Sequence, residues 1–151
     1  MSEQIVKSII VKGNVSDIYN IWANFENFPK FMKHIKSVTK TGDNTSHWIM
    51  RGPLGVKIEW DANTTRLEEN GRIAWNSIDS EAKTSGQVTF NALAEGETEV
   101  TVMLHYAPPA GLAGEVVAEL FGNLEGRLLE DLRNFKEFVE NTPARIHAKP
   151  A

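Results

Sequence analysis

The sequence predicts an α+β domain in which a seven-stranded curved antiparallel sheet wraps around a long C-terminal helix, with two short helices after the first strand. Three observations carry this. Residues 36–106 alternate apolar and polar side chains with a period of two, interrupted at regular intervals by turn clusters. Residues 115–141 carry apolar side chains at helical spacing without interruption. The 151 residues match one ordinary domain, and a chain of that length can bury roughly 70% of its unfolded surface.

The first strand is expected over residues 4–12, where Ile5, Val6, Ile9, Ile10 and Val11 supply β-branched side chains and Gly13-Asn14 supplies the stop. Ser16 is a suitable N-cap for a short helix whose apolar positions are Ile18, Ile21, Trp22 and Phe25. A second short helix should follow, capped by Asn27, with Pro29 in its first turn and Phe28, Phe31, Met32 and Ile35 as its buried stripe. The meander then turns at residues 41–44, 52–55, 68–71 and 94–97. Its core face holds Ile58, Trp60 and Ala62, then Ile73 and Trp75, Val88 and Phe90, and Val100, Val102, Leu104 and Tyr106. Its opposite face carries Lys57, Glu59, Asp61, Arg72, Asn76, Gln87, Thr89 and Thr101, the alternation of a sheet wetted on one side.

After Pro108-Pro109-Ala110-Gly111, the last helix places Val117, Leu120, Phe121, Leu124, Leu128, Leu132, Phe135 and Val139 on one stripe. At 1.5 Å per residue it runs roughly 40 Å, and an amphipathic helix of that length must lay its stripe across the sheet. Residues 1–144 form the domain. Residues 145–151 have no periodicity and are expected to be a frayed tail.

Composition excludes several functions. With 20 acidic against 16 basic residues, and a formal net charge of −4, nothing draws the chain to nucleic acid or anionic lipid. There is no cysteine, hence no disulfide, thiolate zinc site or cysteine nucleophile. No stretch reaches the ~20 apolar residues of a membrane span, so stable membrane insertion is not expected. Met1-Ser2-Glu3-Gln4 does not begin a secretory signal, and the expected location is the cytoplasm. The sequence leaves the oligomeric state open.

Wording adds to element order. Ile18-Tyr19-Asn20-Ile21-Trp22, Phe25-Glu26-Asn27-Phe28-Pro29-Lys30-Phe31-Met32, His47-Trp48, Gly52-Pro53-Leu54-Gly55, Glu59-Trp60-Asp61-Ala62, Ile73-Ala74-Trp75, Ser85-Gly86, Tyr106-Ala107-Pro108-Pro109 and the stretch from Glu130 through Asp131, Leu132, Arg133, Asn134 and Phe135 to Lys136 resemble the bacterial polyketide cyclase/dehydrase branch of the START-like, helix-grip superfamily. The resemblance spans nearly the whole chain. It implies the helix-grip fold, which hosts carriers, sensors and enzymes alike, so activity must be argued from the site.

No constellation of catalytic residues stands out. The histidines at 34, 47, 105 and 147 have no metal-binding helical spacing, and neither a metal nor a cofactor is expected. His34 should end a helix, and strand parity turns His47 and His105 outward. Glu59 and Asp61 share a strand face, as an acid/base pair would require, but parity places them in solvent, where Lys57, Arg66 or Arg72 would partner them. Arg51 is a third polar residue whose inward orientation would favour an enzyme. Ser85-Gly86 and Gly52-Pro53-Leu54-Gly55 fit strand and turn better than nucleophile and phosphate cradle.

Two features point to a ligand cavity. Ala118, Gly122 and Gly126 recur every four residues on the last helix as a bare strip, which serves either close helix–sheet packing or room for a ligand. Aromatic and methionine side chains concentrate on the elements that would surround that room. The candidate lining is Trp22, Phe31, Trp48, Met50, Trp60, Trp75, Phe90, Tyr106, Ala118, Phe121, Gly122 and Gly126, with the indole N–H groups and the Tyr106 hydroxyl to orient the guest. The expected function is binding of a small hydrophobic molecule, whether polyketide-like, isoprenoid, quinone or lipid. The alternative is a cyclase or dehydratase that folds a poly-β-keto substrate in the same cavity.

Overall fold

The computed structural model describes residues 3–51, 57–78, 83–94, 96–107 and 124–141. In chain order these are β1 (Glu3–Lys12), α1 (Val15–Ala23), a 3₁₀ helix η1 (Phe25–Lys30), β2 (Ile35–Lys40), β3 (Thr45–Arg51), β4 (Lys57–Glu68), β5 (Arg72–Ile78), β6 (Lys83–Ala92), β7 (Glu97–Ala107) and α2 (Leu124–Asn141). All strands pair antiparallel in one seven-stranded sheet of order β1-β7-β6-β5-β4-β3-β2. The curved sheet, the short helices after β1 and the C-terminal helix form the expected helix-grip fold.

The turns explain the meander's regularity. At residues 69–71, Asn70 takes φ 60°, and Gly71 N–H donates to Glu68 O at 2.9 Å. Gly96, at φ 82°, ends the β6–β7 turn, and its carbonyl accepts from Gly13 N at 2.7 Å. Fully buried Thr98 closes the same corner by donating Oγ1–H to Gly13 O at 3.0 Å.

Two short-helix expectations need correction. The first helix begins two residues earlier than a Ser16 cap would allow, because Asn14 is the N-cap and its side chain accepts from Asp17 N at 2.9 Å. The second is a single 3₁₀ segment containing Pro29, and Asn27 does not cap it. Asn27 is occupied elsewhere, donating Nδ2 to Ile21 O at 3.2 Å and accepting from Lys30 Nζ at 3.1 Å. His34 consequently sits in the turn before β2 rather than at a helix end.

The core lies between the concave sheet face and the helices. Ile58, Trp60, Ala62, Ile73, Trp75, Val88, Val100 and Val102 meet Ile18, Trp22, Phe28, Leu128, Leu132, Phe135 and Val139. Phe135 sits 5.0 Å, ring centre to ring centre, from both Trp22 and Phe31, which ties α2 to α1 and to the residue that ends η1. Along the edge strand β1, Lys136 Nζ donates to Ile10 O at 3.0 Å and Glu140 accepts from Lys12 N at 2.9 Å. The helix thus covers backbone groups that an open edge would leave free. Val117, Leu120 and Phe121 fall outside the described residues.

Candidate functional site

A cavity of about 140 Å³ opens between the concave face and α2. Its floor is aromatic: Trp48 of β3, Trp60 of β4 and Trp75 of β5, with Met50, Val102, Leu104 and Tyr106 beside them. Trp22 and Phe28 close one side, and Leu124, Arg127, Leu128 and Asp131 of α2 close another.

Strand register builds the floor. Trp48 stands directly opposite Trp60 in the β3–β4 ladder, and their rings stack 5.7 Å apart at 16°. Trp75 stacks on Trp48 at 6.3 Å and 20°. Gly86 makes room for it: a Cβ there would lie 2.8 Å from Met103 O and 2.9 Å from Trp75 Cζ2. Ser85-Gly86 is therefore part of β6, and its glycine is a packing requirement of the aromatic floor.

Of the residues expected to line a ligand site, Trp22, Trp48, Met50, Trp60, Trp75 and Tyr106 surround this cavity. Phe31 and Phe90 are buried core outside its wall, Phe31 among Trp22, Phe28, Phe135 and Phe138, and Phe90 edge-on to Tyr19. Gly126 is exposed, a correction to the bare-strip expectation. Two residues from both Leu124 and Leu128, it lies about 200° around the helix from each. Ala118, Phe121 and Gly122 lie outside the described residues.

The indole nitrogens differ sharply. Trp48 Nε1 donates to Ser46 Oγ at 2.8 Å, whereas Trp22 Nε1 and Trp60 Nε1 are buried without a partner. Thr84 Oγ1, in a residue that also borders the cavity, is a third unpartnered buried atom. Such groups are rare in folded proteins and call for an explanation.

Sequence reasoning missed Asp131. Asp131 belongs to the cavity wall, and burial pushes its carboxyl up to about 7, with Glu130 adding to the rise while the Lys33 backbone N–H, Arg127 and Lys33 oppose it. The signal was present: Leu124, Leu128, Asp131, Leu132 and Phe135 share helical spacing, so an acid stands in an apolar stripe. His34, half-buried, and exposed His105 also border the cavity.

The other polar candidates face away. Arg51, Glu59 and Asp61 are exposed. The β4 irregularity falls between Thr64 and Arg66, beyond Asp61, so it leaves that parity intact. Both carboxylates reach His47, a partner the sequence reading did not assign them: Nδ1 lies 2.9 Å from Asp61 Oδ1 and Nε2 2.9 Å from Glu59 Oε1. Arg66 and Arg72 instead bind Glu68. Among the described residues, no group of three or more His, Asp or Glu could hold a metal ion, and no helix is long and apolar enough to cross a membrane.

The family profile described as polyketide cyclase/dehydrase and lipid transport matches residues 11–133. The chain belongs to this family. An uncharacterised 17.2 kDa protein of Streptomyces lincolnensis is 32% identical over 137 residues, covering 91% of this chain and 89% of the relative. The crystal structure of a Deinococcus radiodurans protein is similar with a TM-score of 0.74 and 28% identity, covering 91% of this chain and 97% of that one. The Zhui aromatase/cyclase of Streptomyces sp. R1128 shares the fold at a TM-score of 0.71 and 13% identity, with 93% and 94% of the chains covered.

Proposed function

We propose that this member of the family binds a small hydrophobic molecule in the cavity between sheet and α2. The observation that carries the reading is the cavity itself: an apolar space floored by three stacked indoles, with few polar atoms in its wall. Native mass spectrometry of the protein purified from its own host tests this. A retained compound, released when an apolar dye enters, is the expected result. Absence of any retained mass together with failure to take up the dye would remove the reading.

Asp131 favours a second reading, a cyclase or dehydratase. A carboxyl titrating near neutrality beside an apolar cavity is suited to give and take a proton from an enolisable β-keto chain folded there. On this reading, Asp131→Asn abolishes turnover of a poly-β-keto thioester while leaving its binding intact. Equal turnover by the variant would take Asp131 out of the chemistry, and absence of turnover by the wild type would return the protein to the class of carriers.

A further inference from the structure

We infer that the cavity's ligand is a compact, flat aromatic compound bearing a carbonyl oxygen, and that this oxygen accepts a hydrogen bond from Trp60 Nε1. The inference rests on the binding reading above and narrows it to a chemical class.

Size comes first. Apolar cavities of about 150 Å³ admit guests the size of benzene, and this one measures about 140 Å³. A single-ring compound fills this space, whereas a long acyl chain would have to extend beyond it. Shape comes second. The indoles of Trp48, Trp60 and Trp75 are within 20° of parallel in each stacked pair, and a floor of near-parallel rings is matched by another flat ring.

Polarity decides the functional group. Trp60 Nε1–H is a buried donor without an acceptor, and an indole nitrogen can only donate. Its directly cross-strand partner, Trp48, has an acceptor in Ser46, so the deficit is particular to Trp60. Trp22 Nε1 is also unpartnered, but its indole is enclosed by the rings of Phe28, Phe31 and Phe135, 5.0–5.6 Å away. Among the described residues, Trp60 has a single ring neighbour of that kind, Trp48, and belongs to the cavity floor. Its nitrogen is covered in this structure, so a ligand oxygen reaches it only when the wall shifts to uncover it. A neutral donor in apolar surroundings favours a neutral acceptor over a carboxylate, whose desolvation it could not offset.

Acetophenone and α-methylstyrene test this, because they share a shape and differ only in C=O against C=CH₂. Titrated into the intact ¹⁵N-labelled protein, acetophenone should bind about 3- to 10-fold more tightly. It should also move the Trp60 indole N–H signal downfield and leave that of Trp48 in place. Trp60→Phe should abolish the preference while retaining α-methylstyrene; if that variant does not fold, the wild-type indole shift decides alone. Equal affinities with an unmoved Trp60 signal, or a shift at Trp22 instead, would overturn the hydrogen bond while leaving the cavity reading intact. If neither ring compound binds but palmitate displaces an apolar dye, the ring class is wrong and the binding reading survives. If none of the three binds, the binding reading itself falls.

Discussion

Adjacent strands β3 and β4 present two chemistries on opposite faces. Inward, Trp48 and Trp60 stack on the buried concave face; outward, one residue along in each strand, His47, Glu59 and Asp61 form a charged cluster. The outer polar atoms are paired at 2.9 Å, yet Glu59 and Asp61 are more than half exposed, so their pairing contributes little. The inner wall holds fewer polar atoms, but each is consequential. An unpartnered indole N–H and a carboxyl held near neutral pKa are what water would otherwise have solvated. Count of charged residues is therefore a poor guide to where this molecule's chemistry lies, and burial is a good one.

The largest effect should come from the inner side. Phe135 is fully buried and meets Trp22 and Phe31, so Phe135→Ala should lower unfolding free energy by about 3–5 kcal/mol, read from the urea midpoint. A loss under 1 kcal/mol would mean the grip of helix on sheet is looser than its packing indicates.

Next comes the carboxyl. Asp131 titrates in the folded state at about 7 against an ordinary 3.8, so the folded protein holds a proton that the unfolded chain has released between those values. Its contribution is complete below about pH 4 and lost as pH rises through 7. Asp131→Asn should flatten that slope and gain on the wild type with rising pH, by on the order of 1–3 kcal/mol at pH 8 once partial solvent contact is allowed for. Parallel stability–pH curves for the two proteins would show that the carboxyl is better solvated than its position suggests.

Of comparable or smaller size is Gly86→Ala. The added Cβ meets a backbone oxygen at 2.8 Å and the Trp75 ring at 2.9 Å, so about 1–3 kcal/mol should be lost, with a change in tryptophan fluorescence as the indole is displaced. An unchanged spectrum at full stability would show that the aromatic floor is more yielding than its packing implies.

The fold was legible because its signals are local. Period-two alternation gave both faces of β4, β5 and β7, and helical spacing gave Leu128, Leu132, Phe135 and Val139. The site was only half legible. Parity put Trp48, Trp60, Trp75 and Tyr106 on the correct face, but which inward residue borders space and which is packed solid depends on three-dimensional contacts, and so Phe31 and Phe90 belong to the core. Gly126 departs from expectation for a simpler reason: a four-residue repeat of small side chains does not by itself lie on the apolar face, and two residues from Leu124 the helix has turned about 200°. Asp131 is hard to read from sequence because paired carboxylates along a strand are the more familiar pattern, yet a lone acid in an apolar helical stripe is the stronger sign.

The smallest effect is expected outside, and it sharpens the contrast. Hydrogen bonds that His47 donates to Asp61 and then Glu59 raise its pKa above 6.5, so this cluster's stabilisation is present below pH 6.5 and is lost as pH rises through the raised value. The sign matches that of Asp131, but the cause is opposite: attraction between exposed charges rather than exclusion of water. Both slopes overlap near neutrality, so pH alone does not separate them. Salt does. At a Debye length of ~3 Å in 1 M salt, the exposed cluster is screened while the buried carboxyl is not. His47→Gln should therefore remove no more than about 1 kcal/mol at pH 6 in dilute buffer and almost nothing in 1 M sodium chloride. The Asp131→Asn difference at pH 8 should persist in both. A His47 effect that survives high salt, or an Asp131 effect that vanishes in it, would erase the distinction drawn between the two faces.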